Sequence, residues 1–145
     1  MKKLLFLILL IFKTSSVYAF DNKVVKYCGM LRDDEHAIYL LQWTIDTRSK
    51  LLDRIKNLSS VQSKKEIDGI QKMIDDSYDT EVKKAWKIDA ELNKNPNNPF
   101  PNAAADHALL VRSAMINVLN DGLTLTNARD SMYRDCLAKI VANPR

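Results

Sequence analysis

Apolar residues recur along this chain at the period of an α-helix. Between residues 24 and 58, Leu31, Ile38, Ile45 and Leu52 return every seven positions, and Tyr27, Leu41, Ile55 and Leu58 fill the adjacent ones. Such spacing gathers apolar side chains on one helical face. Asp33, Asp34 and Glu35 fall inside this stripe. Acids favour the first turn of a helix, where unpaired N–H groups give a positive end. A break between Gly29 and Asp34 is therefore expected, with a short helix before it and a longer one after.

A second stripe follows from Ser63, through Ile67, Ile70, Ile74, Tyr78, Val82, Ala85 and Leu92. Ser63 and Glu66 have capping-box spacing, which marks Ser63 as a helix start. Residues 77–80 carry an expected interruption, with Thr80 as a second N-cap. A third stripe over residues 103–120 holds Ala104, Ala108, Val111, Met115 and Val118, and Gly122 is placed to end it. A fourth starts after Thr124 or Thr126 and carries Leu125, Ala128, Met132, Tyr133, Cys136, Leu137 and Ile140. Residues 93–102 hold three prolines and five asparagines, which excludes helix interior. They form the one clear loop.

No stretch alternates apolar and polar residues as a strand does. The chain is therefore all-α: a helical bundle of four main segments closed by one disulfide. The first two segments span roughly 30 residues, the last two nearer 16 to 18, a difference of about 20 Å at 1.5 Å per residue. Breaks in the long pair would make five or six helices.

An up-down-up-down order brings the start of the first segment to the end of the fourth, and so Cys28 to Cys136. The two are expected to form a disulfide closing a loop of 108 residues. A redox motif such as Cys-x-x-Cys is absent.

The first residues explain why an oxidising compartment is expected. Lys2 and Lys3 precede an apolar run over residues 4–12, and Val17 and Ala19 stand at the −3 and −1 positions of a cleavage site. This is the layout of a signal peptide, and the run is too short for a membrane span. The expected organisation is a leader over residues 1–19 and one helical domain over residues 20–145. The expected location is the periplasm or the medium, with no stable membrane insertion expected after cleavage.

Removal of the leader also changes the charge. The chain has 22 Lys and Arg against 18 Asp and Glu, but Lys2, Lys3 and Lys13 depart with the leader. The remainder is close to neutral, with acids and lysines interleaved, so no basic stripe is left for nucleic acid.

Candidate chemistry is sparse. There is no Gly-x-Ser-x-Gly, no phosphate loop and no dinucleotide fingerprint, so an enzyme is not expected and no cofactor is implied. His36 and His107 each follow an acid. With Asp34 and Asp106 they would share one end of the bundle, a set of ligand types that suits Zn²⁺. The plainer expectation is helix-start acids beside exposed histidines. In the loop, Phe100 lies between Pro99 and Pro101, a stiff aromatic of the kind that binding sites use. It has two expected fates: anchor for a partner, or plug folded onto the bundle end. Trp43 and Trp86 lie off the apolar stripes and are expected in core or boundary packing. Asn57-Leu58-Ser59 matches a glycosylation acceptor, an accidental match behind a leader of bacterial style.

The leader, the early Tyr27-Cys28, the helical body and the terminal Tyr133-x-x-Cys136-Leu137 together resemble small exported bacterial helical proteins. Some of these are periplasmic immunity or inhibitor proteins that block cell-wall-degrading enzymes. The resemblance implies a binding protein whose partner is another protein. Two alternatives stand beside it: a metal-binding periplasmic protein using His36 and His107, and a structural homo-oligomer built through surplus apolar faces.

Overall fold

A computed structural model describes residues 22–142. The expected leader and its cleavage site lie outside the described residues. Those residues form five helices and no strand: α1 (Asn22–Arg32), α2 (Glu35–Ile55), α3 (Ser60–Leu92), α4 (Ala103–Asp121) and α5 (Leu125–Ala142). The all-α bundle expected from the stripes is the observed fold.

The break in the first segment falls at Asp33 and Asp34. Asp34 is extended and its carboxylate accepts the Ala37 N–H at 2.8 Å, so it caps α2. The second segment differs from expectation in two ways. It starts at Ser60, capped by Ser59 with Gln62 answering as the other half of the capping box, rather than at Ser63 with Glu66. It then runs unbroken for 33 residues, about 50 Å. Residues 77–80 do not interrupt it because Tyr78 and Val82 are buried one turn apart, and that packing outweighs the weak preference of Ser77 and Thr80 for caps. Fully buried side chains on α3 begin only at Ile74, and Val61 near its start is 78 % exposed. The excess length of α3 thus projects past the core.

α4 is the central helix, packed on α2, α3 and α5. Its Val111, Ala114, Met115, Val118 and Leu119 are buried with Leu41 and Leu51 of α2, Ile74 and Tyr78 of α3, and Ala128 and Met132 of α5. Gly122 ends α4 in the left-handed conformation, φ 70°. An added Cβ there would also meet the Arg48 guanidinium at 2.9 Å. Trp43 packs against this core as expected, whereas Trp86 is 59 % exposed.

A second, smaller core joins α1 to α5. Cys28 and Cys136 are disulfide-bonded, with Cα atoms 5.7 Å apart, and are buried with Leu110 among Tyr27, Leu31, Tyr133 and Leu137. The covalent bond and the packing hold the same two helices together. Arg129 of α5 adds a polar clasp, donating to the Arg32 carbonyl and to Asp33 at the α1–α2 corner.

Candidate functional site

The start of α4 gathers most of the residues the sequence singles out. Asn102 supplies no side-chain cap there. The cap comes from α3 instead: the two Asp89 carboxylate oxygens accept the Ala104 and Ala105 N–H groups, each at 2.9 Å. Asp89 is buried. A buried carboxylate needs such donors to offset its desolvation, and its charge meets the positive end of the helix. The opposite end is treated likewise, with Arg48 of α2 donating to the Leu119 carbonyl at 2.9 Å. Both ends of the central helix are therefore held by side chains from other helices.

The intervening loop is tied by its own asparagines. Asn93 Nδ2 donates to the Pro101 carbonyl at 2.7 Å, and Asn98 Nδ2 to Asn93 Oδ1 at 3.1 Å. Asn98 Oδ1 accepts the Phe100 N–H, and Asn95 Oδ1 accepts the Asn97 N–H. With three prolines fixing φ, little of this segment is left to order on contact with another molecule.

Of the two fates expected for Phe100, the ring folds back. It stacks on Tyr27 with centroids 4.2 Å apart and planes 9° from parallel. Tyr27 in turn donates to the Ala103 carbonyl at 3.3 Å. Burial, then Asp106 and Asp89, push its ionisation well up, so the phenol stays a donor. Pro101 is half-buried and Pro99 is exposed.

The last turns of α3 carry exposed apolar side chains on their flanks and exposed lysines, Lys83 and Lys87, between them, with Lys94 just past the helix end. Trp86, Ile88 and Leu92 on the last turns of α3 are 59 %, 54 % and 49 % exposed. Ile88 and Leu92 are four apart and share a flank, and Leu92 lines an open depression of about 530 Å³ together with Glu91, Lys94, Asn95, Asn98 and Pro99. Trp86 leaves the helix on the other flank. Exposed large apolar side chains beside a rigid rim are features of interaction surfaces. The sequence stripes did not reveal this exposure, because Trp86 and Ile88 lie just outside the buried stripe and their cover depends on which neighbours reach them.

The histidine cluster assembles in part. His107 Nε2 lies 3.8 Å from Asp34 Oδ1, and His36 is close enough to act on His107 electrostatically. Asp106 turns away to pair with Lys139 of α5. Among the described residues no three His, Cys, Asp or Glu side chains stand together as a metal ligand set. His107 Nε2 is covered and has no hydrogen-bond partner.

Asp89 is the residue that sequence reasoning missed. It is the lone acid in the register of Tyr78, Val82 and Ala85, and an acid on an apolar stripe is the signal that could have found it. No helix among the described residues is long and apolar enough to cross a membrane. Comparison of the chain with protein-family models, with curated proteins and with solved structures found no match.

Proposed function

We propose that this is an exported interaction protein that binds another protein through the α3–α4 end of its bundle. In its narrower form it is an immunity or inhibitor protein that covers a partner enzyme. One observation carries the reading: Trp86 on one flank, and Ile88 and Leu92 on the other, stand exposed on a helix end whose adjoining loop is held by prolines and four side-chain hydrogen bonds. A surface of that kind exposes apolar area with little entropy left to lose. Phe100 serves it indirectly, holding the loop down on Tyr27. The buried disulfide is compatible with an oxidising compartment, and with it the proposed periplasmic or secreted location after loss of residues 1–19.

The test is affinity capture with the disulfide-bonded protein from extracts of its own cell envelope. One partner in stoichiometric amount is expected, with binding weakened at least tenfold by Trp86→Ala or Leu92→Ala, about 1.4 kcal/mol or more. Capture of no stoichiometric partner, or capture indifferent to both substitutions, would overturn the reading.

A further inference from the structure

We propose that disulfide formation completes the docking end of this molecule: closing the Cys28–Cys136 bond seats α1, and α1 then fixes Phe100 and the first turn of α4 through Tyr27. The inference rests on the α3–α4 end being the binding surface, and adds how that surface is made ready. Tyr27 and Cys28 are neighbours on α1 with different partners. Cys28 is bonded to Cys136 of α5. The Tyr27 ring stacks on Phe100 at 4.2 Å, and its hydroxyl donates to the Ala103 carbonyl at 3.3 Å. Phe100 adjoins Pro99, which lines the open depression with Leu92. A path from the disulfide to the rim of the docking surface therefore runs from Cys28 to Tyr27, and from Phe100 to Pro99.

α1 depends on the bond more than the other helices do. It has 11 residues, and a helix shorter than about 12 residues is marginal on its own in water. Its buried and half-buried apolar residues belong to the small core alone. With the bond open, the Arg129 clasp still holds the Arg32 end, but Tyr27 lies more than a turn away from it. The Asn93, Asn95 and Asn98 hydrogen bonds and the Asp89 cap are made without α1. Loss of order is therefore expected at Phe100 and Ala103, not across the whole loop. The chemistry is thiol–disulfide exchange: the two thiols give up two protons and two electrons, one S–S bond forms, and a disulfide-donating oxidant is reduced to two thiols. Cys28 and Cys136 are 0 % and 3 % exposed in the finished fold. Exchange thus takes place with α1 undocked, and the bond is sheltered from other thiols once α1 is seated. Until it meets such an oxidant the chain has an unfinished docking end and binds its partner weakly.

Nuclear magnetic resonance on three proteins tests this: the disulfide-bonded parent, the Cys28→Ala/Cys136→Ala double variant, and disulfide-bonded Tyr27→Leu. The parent is expected to show Tyr27–Phe100 ring contacts and an ordered backbone over residues 99–103. The double variant should lose both, while Asn97 and the main-core residue Val118 keep their parent signals. Tyr27→Leu should loosen residues 99–103 with α1 still protected from exchange. Capture from cell-envelope extract should fall about fivefold or more in both variants, since the loop must then be ordered on binding. Order at residues 99–103 that persists in either variant would overturn the inference. So would global unfolding of the double variant, because the bond would then build the whole fold and not complete one end. Capture undiminished by a loosened loop would overturn it while leaving the docking surface standing. Capture of no partner even by the parent would bring down the docking surface, and this inference with it.

Discussion

Asp89 shows how one side chain sets the geometry of the proposed site. Its two oxygens take the Ala104 and Ala105 N–H groups in the first turn of α4, and its own carbonyl accepts the Asn93 N–H that ends α3. A single residue therefore fixes where one helix stops and where the next begins, and the loop between them is pinned at both feet. Asp89→Ala would leave two N–H groups unpaired in a buried place and is expected to cost about 2–3 kcal/mol, with Asp89→Asn costing less. Denaturant unfolding of the two variants checks this. Equal stability of Asp89→Ala and the parent would show that α4 is capped by something else. His107 is the converse residue, a buried nitrogen left without a partner. Its position at the first turn of α4 was legible from the stripe, but its orphaned state was not, because that depends on where Asp34 and Lys139 reach.

At the scale of elements, the stripes carried most of the fold. Ile38 and Leu41, Ile74 and Tyr78, Val111 and Met115, and Ala128 and Met132 repeat at helical spacing, and all of them except Ile38, which is half-buried, are fully buried. Helix starts were less legible. Ser59 and Ser63 are one turn apart and each has a Gln or Glu three residues on, so local chemistry alone does not choose between them. The unbroken α3 was missed for a related reason: Ser77 and Thr80 offer caps, but the preference for a cap is small against the burial of Tyr78 and Val82. The disulfide ties the shortest helix, α1, to α5 across 108 residues. Replacing both Cys28 and Cys136 by Ala is expected to lower stability by about 2–4 kcal/mol. Exchange protection should fall first in α1, because α2 to α5 keep the main core. Uniform loss across all five helices would show that the two cores fold as one unit.

For the whole molecule, the two ends of the bundle differ in character. At the α2–α3 end, α3 overhangs the core and exposes Val61, while lysine–acid pairs one turn apart run along the whole of α3, from Lys64 with Asp68 to Glu91 with Lys94 just past its end. Exposed pairs of this sort contribute little to stability. At the α3–α4 end, apolar side chains stand out beside a stiff loop, and the second core, the disulfide and the Asp89 cap all support that end from within. Rigid support beneath an exposed apolar face is the arrangement expected of a molecule that binds through that face. A photo-crosslinking side chain placed at position 86 or 92, and at 61 as the distant control, tests this in living cells producing the full chain. One discrete protein adduct is expected from 86 and 92, and none from 61. Adducts from 61 alone, or none from any position, would contradict it.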